Sequence, residues 1–414
     1  MSFEWEETTL GDVLTLQRGM DLPLQDRRAG THPIVASTGI VGYHDTAPVK
    51  GAGVVIGRSG SIGGGQYIVQ DFWPLNTTLW VKDFKGNDPR YCYYLLKSID
   101  FSSMNAGSGV PTLNRNHLHP LKVVKPSVSL QKSIAAILGN LDDRITLLCK
   151  TNASIEAIAQ TLFKSWFVDF DPVRAKSEGK LPEGMDEATA ALFPDAFEET
   201  ELGAVPIGWQ IHPFLDVCDL QGGSQPPASV FVDELRDGYV RLLQIRDFSS
   251  DAHTTYIPDT AKLKKVNEDD VLIGRYGSAS GDKAKDSLGR VCRGLSGAYN
   301  VALMKLNPLL VGREFAFQLV SDPRFYNYLQ GVSSKAVQSG FSKNELAQYK
   351  TVLPNIDLIK RYEQFGVDFW LAIKTNNCRI KTLKSLRDTL LPRLISGQIR
   401  IDDADVEQIE AAST

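Results

Sequence analysis

The side chains best placed to do chemistry in this sequence are basic and polar residues set in glycine-rich turns. Ile56-Gly57-Arg58-Ser59-Gly60-Ser61-Ile62-Gly63-Gly64-Gly65 has the composition of a phosphate cradle. It lacks the Gly-Lys-Ser/Thr ending of a P-loop, and no long helical pattern follows it, so nucleotide binding is not expected. Two readings remain for its arginine: a guanidinium held near a nucleic-acid phosphate, or a salt bridge within the turn. Ile273-Gly274-Arg275-Tyr276-Gly277-Ser278 repeats the pattern. A second polar cluster, Ser108-Gly-Val-Pro-Thr-Leu-Asn-Arg-Asn116, has a counterpart in Gln338-Ser-Gly-Phe-Ser-Lys-Asn344. Such side chains reach base edges and phosphates, and they also close turns and cap helices. The candidate contacts to DNA are Arg18, Arg58, Ser59, Ser61, Thr112, Asn114 and Arg115 in the first half of the chain. In the second half they are Gln221, Arg246, Arg275, Tyr276, Ser278, Ser342 and Lys343.

No catalytic set accompanies them. The six histidines (32, 44, 117, 119, 212 and 253) form no metal-spaced cluster. There is no Gly-x-Ser-x-Gly nucleophile turn, no Asn-Pro-Pro-Tyr segment of the adenine-methylating kind, and no nuclease carboxylate set. The five cysteines are scattered and never spaced as Cys-x-x-Cys, which suits a reducing cytoplasm and argues against disulfides and zinc. The pattern is that of a chain that positions other molecules and is not itself an enzyme.

Two helical stretches must do the positioning, Leu141 to Trp166 and Phe369 to Leu394. The first carries Leu141, Ile145, Leu148, Asn152, Ile155, Ala159, Leu162 and Trp166. The second carries Phe369, Ile373, Asn376, Ile380, Leu383, Arg387, Leu390 and Leu394. Steps of three and four alternate, the period of a coiled-coil seam. Each ladder has an asparagine break, Asn152 at an a position and Asn376 at a d position. Antiparallel coils set a against d, so these two residues can pair and fix the register. Ile145 then meets Leu383, Leu148 meets Ile380, Ile155 meets Ile373, Ala159 meets Phe369 and Leu138 meets Leu390. Leu141 faces Arg387, whose stem packs while its head snorkels. Ser129 is expected to cap the first helix, and Pro392 to kink or stop the second. The dense run Trp166-Phe167-Val168-Asp169-Phe170 is either buried against the second domain or a face that docks a partner, with Trp166, Phe167 and Phe170 as its candidates.

The net charge of −4 hides an uneven distribution. Residues 1–127 hold 12 basic and 11 acidic side chains, and residues 212–350 hold 17 and 16. Residues 355–400 hold 9 basic against 4 acidic, whereas 171–211 hold 3 against 9. Acid therefore collects in a linker and a C-terminal tail, and the rest is neutral to basic, which permits DNA binding without demanding it. No apolar run approaches a membrane span, and the acidic N-terminus lacks a signal core, so a cytoplasmic location is expected.

The two halves repeat. Trp5, Asp12-Val13, Leu16-Gln17 and Gly19 recur at one offset as Trp209, Asp216-Val217, Leu220-Gln221 and Gly223. Leu118 to Pro126 recurs as Leu346 to Pro354. The expected architecture is α+β and pseudo-twofold: two repeated α/β domains separated by a long antiparallel two-helix coil. Its divisions are a first domain (1–127), a spacer helix (128–170), an acidic linker (171–208), a second domain (209–353), a second spacer helix (354–396) and an acidic tail (397–414).

These features resemble the DNA specificity subunit of type I restriction–modification systems. The carrying motifs are Leu130-Gln-Lys-Ser-Ile-Ala-Ala-Ile-Leu-Gly-Asn-Leu-Asp-Asp-Arg-Ile145, Leu162-Phe-Lys-Ser-Trp-Phe-Val-Asp-Phe-Asp-Pro-Val-Arg-Ala-Lys176 and Leu390-Leu-Pro-Arg-Leu-Ile-Ser-Gly-Gln-Ile-Arg-Ile401. One departure is Asp357-Leu-Ile-Lys-Arg-Tyr-Glu-Gln-Phe365, which lacks the Gln-x-x-Ile-Ala form of the first helix. The resemblance implies that two target recognition domains read the halves of a split double-stranded DNA sequence while the helices set the gap. It implies two modification subunits that methylate adenine with S-adenosylmethionine, and restriction subunits that use ATP and Mg. This chain would itself hold no cofactor or metal. The other function compatible with its charge is a non-catalytic scaffold whose repeated domains bind proteins.

Overall fold

A computed structural model describes residues 5–401 except 106, 108, 251, 278–285 and 334–339. The chain forms two compact units, 1–149 with 377–414, and 150–376. Two 40-residue helices, Val128–Phe167 and Ile356–Ile395, each contribute to both units.

In the first unit a two-stranded ribbon pairs Glu6–Thr9 with Lys122–Lys125. A four-stranded antiparallel sheet runs Thr15–Arg18, Thr78–Asp83, Gly53–Gly57, Gly63–Ile68. A smaller sheet runs Gly39–His44, His32–Ala36, Trp73–Pro74. The second unit repeats this plan. Its ribbon pairs Gln210–Pro213 with Lys350–Leu353. Its four-stranded sheet runs Cys218–Gly222, Leu303–Pro308, Val271–Gly274, Val291–Cys292. In both, the first strand lies beside the last and the middle strand beyond it, so the sequence repeat is a repeat of sheet topology. The run Val54-Val55-Ile56 is buried on both faces, as its unbroken apolar, β-branched character predicts.

Within the first unit the helices meet antiparallel. Ile145, Leu148 and Ile380 bury together with Leu383 beside them, and Leu138 and Leu390 share the main core. In the second unit Asn376 Nδ2 donates to Asn152 Oδ1 at 2.8 Å, both side chains buried, so the polar layers face each other as expected. Ile373 is buried and Ile155 half-buried.

Three expectations need correction. Arg387 does not snorkel: its guanidinium bonds Asp142 at 2.6 Å and Asp388 at 2.7 Å, because a nearby carboxylate satisfies it better than a long reach to water. Ala159 is buried and takes a hydrogen bond on its carbonyl from Tyr362 Oη at 3.2 Å, while Phe369 is half-buried. The first helix begins at Val128, and the Ser127 hydroxyl, not that of Ser129, accepts the Leu130 N–H. The second helix runs through Pro392 to Ile395. Pro392 falls in its last turn, and buried Leu391, Leu394 and Ile395 anchor that turn in the first core. Asn355 caps the start, accepting from Leu358 N–H at 2.9 Å.

Residues 171–208, expected as an acidic linker with short helical turns, do hold short helices but pack into the second unit's core. They form helices Asp171–Ser177 and Glu187–Ala191 and a hairpin of Phe197–Thr200 with Gly203–Pro206. Val173, Phe193 and Val205 are buried in the second unit's core, so three apolar anchors outweigh the acidic, proline-punctuated composition. Trp166 and Phe167 bury in the same core against Phe193, Tyr362, Phe315 and Trp209. Phe170 is half-buried against Phe197 and Trp209. The aromatic run is thus core, and Trp166 and Phe167 present no docking face, because each ring finds aromatic partners within its own unit.

Each unit fastens its globular part to its helices with charge. In the first, Arg90 bonds the Gly139 carbonyl at 3.1 Å and Asp143 at 2.6 Å, and Tyr94 Oη donates to Asp142 at 2.8 Å. A side chain at Gly139 would strike that guanidinium, a Cβ lying 2.5 Å from Arg90 Cζ. In the second, buried Arg293 and Glu314 pair at 2.5 Å, with the guanidinium 3.9 Å from the ring centres of both Phe317 and Trp370. Trp370 and Lys374 both donate to Asp269.

Candidate functional site

The glycine-rich turn after Val54-Val55-Ile56 is pinned from two sides. The N–H groups of Arg58 and Ser59 both donate to the Thr77 carbonyl, at 2.8 and 3.1 Å. On the other side Leu113 N–H donates to the Arg58 carbonyl at 2.8 Å, and Ser59 and Thr112 form an isolated bridge. The approach is close: a Cβ on Gly57 would lie 1.9 Å from the Ser61 carbonyl oxygen. The second unit builds the same knot. Arg275 N–H donates to the Ala302 carbonyl at 2.8 Å, and Tyr276 bridges Gly340.

Pinning these loops opens a polar groove of about 1130 Å³ in the first unit. Its walls hold Arg18, Arg58, Thr112, Asn114 and Arg115, five of the seven first-half candidates, together with Lys82 and Asp21. Ser59 stands beside it in the bridge, and Ser61 is exposed outside the lining. Arg18, Lys82 and Arg115 are exposed and make no ion pair among the described residues. The Arg58 guanidinium donates to the Asn76 carbonyl at 3.1 Å, and among the described residues it forms no salt bridge within the turn. Burial and then the nearby Arg18 disfavour its charge and lower its pKa. Four cations and one carboxylate thus line one groove of a nearly neutral domain. Such a surface attracts a polyanion, and long basic side chains with no ion pair among the described residues can meet successive phosphates.

Other candidates have structural work. Asn114 caps the turn Arg115–Leu118 by accepting from Asn116 N–H at 3.0 Å, and Thr112 Oγ1 donates to the Val110 carbonyl. Ser342 forms a capping box with Glu345 at the start of Lys343–Leu346. Arg115 and Lys343 therefore occupy the same first helical position in the two units.

In the second unit the candidates are dispersed. Arg275 Nε donates to the Phe341 carbonyl at 3.2 Å, and its guanidinium lies 4.7 Å from the Tyr276 ring centre. Lys343 pairs with Asp219 at 2.5 Å, Arg246 donates to Thr255 Oγ1 at 2.7 Å, and Gln221 accepts from Tyr299 Oη at 3.3 Å. Ser278 lies outside the described residues. The positions of Arg18 and Lys82 are taken by Gly222 and Asn307. One backbone thus displays different side chains in the two units. Sequence reasoning missed Lys82 and Asp21, which line the groove, and Asn76, which bonds Asp21 and Arg58; none carries a motif, and the strand pairing brings them together.

Among the described residues no group of three His, Cys, Asp or Glu is placed to hold a metal ion, and no helix is long and apolar enough to cross a membrane.

Comparison with known proteins agrees with this geometry. Residues 3–157 match the family described as type I restriction modification DNA specificity domain. The type I restriction enzyme MjaIX specificity subunit of Methanocaldococcus jannaschii is 24% identical over 344 residues, covering 80% of this chain and 74% of that protein. The HindI specificity subunit of Haemophilus influenzae is also 24% identical, covering 70% and 71%. A crystal structure of the type I restriction–modification S subunit from M. genitalium shares the fold, with a TM-score of 0.55 at 14% identity over 97% of this chain and 98% of that one.

Proposed function

We infer that this chain, a DNA specificity subunit of the type I restriction–modification kind, reads a split double-stranded target, with one half-site for each repeated domain and the paired helices setting the gap. One observation carries the reading: the same pinned turn occurs in both units, and in the first it lines a groove with three cations that make no ion pair among the described residues. A scaffold repeated with altered side chains is what two independent readings of different sequences require. Phosphate contacts supply affinity and register, and base-edge contacts supply sequence.

In this reading the chain is not catalytic. It works in the cytoplasm with two modification subunits and, for cleavage, with restriction subunits. S-adenosylmethionine, ATP and Mg belong to those partners, and this chain holds none of them. The test is co-expression with the modification subunit in a host without adenine methylation, followed by mapping of methylated adenines at single-base resolution. A bipartite motif with a fixed gap is expected. Methylation without sequence preference, or a motif unchanged when this chain is exchanged for another specificity subunit, overturns the reading.

A further inference from the structure

The groove of the first unit contains one carboxylate, Asp21, among four cations, and none of them neutralises it. No ion pair involves Asp21 among the described residues. Its partner is the side-chain amide of Asn76, which donates to Asp21 Oδ1. The backbone carbonyl of the same Asn76 accepts from Arg58 Nη1 at 3.1 Å. Asn76 therefore links an acid and a base, and holds each by a separate group. Both remain open to the groove, Asp21 exposed and Arg58 half-buried.

The three residues are set rigidly. Gly19 N–H donates to the Thr78 carbonyl at 3.1 Å, and Met20 N–H to the Pro74 carbonyl at 2.8 Å. A Cβ on Gly19 would lie 2.1 Å from the Leu75 carbonyl oxygen, so these segments touch backbone to backbone. The Thr77 carbonyl then fixes the backbone of Arg58.

The second unit shows that this backbone does not need the acid–amide pair. Gly223 and Ser224 donate to the Leu303 and Tyr299 carbonyls at 3.2 and 3.1 Å, and Gly223 sits as tightly, with a Cβ 2.2 Å from the Asn300 carbonyl oxygen. Gln225 and Val301 hold the places of Asp21 and Asn76 there. The loop folds the same way without the pair, so folding does not account for the pair.

Base recognition does. A carboxylate in a groove that receives phosphates meets repulsion unless a base offers it a donor. In the major groove cytosine presents only its N4 amino donor, whereas adenine sets the acceptor N7 beside N6, and guanine presents acceptors alone. An acceptor-only side chain thus selects cytosine, while a guanidinium selects the O6 and N7 of guanine. We propose that Asp21 and Arg58, both held by Asn76, are the specificity-determining pair of the first domain and read a C·G base pair, with Asp21 accepting from cytosine N4. This rests on the DNA-reading function inferred above.

The test uses the full chain with its modification subunit. Duplexes in which each position of the mapped target is varied in turn are titrated at fixed salt. The wild-type first half-site is expected to contain a C·G pair whose replacement weakens binding roughly tenfold or more, the discrimination a good base contact provides. Asp21→Asn keeps the size of the side chain and an oxygen for the Asn76 amide, so the fold is retained. It should erase the preference at that one position and leave the other half-site unchanged. Lys82→Ala should instead weaken all duplexes alike. The proposal is overturned if Asp21→Asn leaves the preference intact, if it weakens every sequence equally, or if the first half-site has no C·G pair. A wild-type complex that discriminates at no position refutes the DNA-reading function itself, a result distinct from failure of the Asp21 assignment.

Discussion

Replacing Asn376 by Leu isolates the polar layer of the coil. The Asn376–Asn152 hydrogen bond is 2.8 Å long and both side chains are at most 9% exposed, so water cannot replace a missing partner. Stranding a buried amide costs about 1–3 kcal/mol. A unit of about 200 residues loses ~2–4 °C per kcal/mol, so a destabilisation of ~2 kcal/mol lowers the transition by ~4–8 °C. Asn152→Leu should cost a similar amount. The double variant removes both polar groups and leaves a Leu–Leu layer, which is near neutral in stability because no amide is stranded. The sum of the two single destabilisations, ~4 kcal/mol, should therefore exceed that of the near-neutral double variant by ~4 kcal/mol, within the ~2–6 kcal/mol that two stranded amides allow. The double variant also lacks the layer that penalises a slip of register. Calorimetry of the four proteins closes the cycle. A coupling energy of zero would refute the argument, since the two asparagines would then act independently and could not set the register.

Arg18→Ala and Lys82→Ala should each weaken DNA binding uniformly across sequences and flatten the dependence of log affinity on log salt by ~0.9 for each phosphate no longer neutralised; an unchanged slope in salt titrations would remove them from the interface. Arg293→Ala leaves Glu314 buried beside Glu363 and should cost ~3–5 kcal/mol at neutral pH. Burial already raises the Glu314 pKa and Arg293 opposes that rise, so without Arg293 the folded form binds its proton more tightly; the deficit in denaturation titrations should shrink as pH falls and grow as it rises. Adding four residues to both long helices between layers lengthens each by about 6 Å against ~3.4 Å per base pair, so methylation mapping should show the gap widened by one or two base pairs with both half-sites intact.

The seam and the repeat were legible in the sequence because each is a one-dimensional pattern. Steps of three and four need only helical geometry to become a stripe, so Asn152 and Asn376 could be matched before any fold was known. The recurrence of Trp5 to Gly19 as Trp209 to Gly223 likewise survives as one offset, and the sheets of the two units confirm it strand by strand. The resemblance carried by the helical motifs led to the function, and the glycine-rich turns marked where Arg58 and Arg275 would be held. Where a side chain ends up across the fold was a different matter. Residues 171–208 look like a linker by charge and proline content, yet Val173, Phe193 and Val205 bury, because three anchors suffice once a core is available to receive them. Trp166 and Phe167 were legible as either core or docking face, and the sequence left the two readings open, since burial depends on partners such as Phe193 and Phe315 far along the chain. The groove shows the limit most clearly. Asp21, Asn76 and Lys82 carry no motif, and they join Arg18 and Arg58 only because the first strand of the sheet pairs with the last while the middle strand pairs beyond it. Strand pairing over some sixty residues is a property of the closed sheet, and local sequence has no period that encodes it.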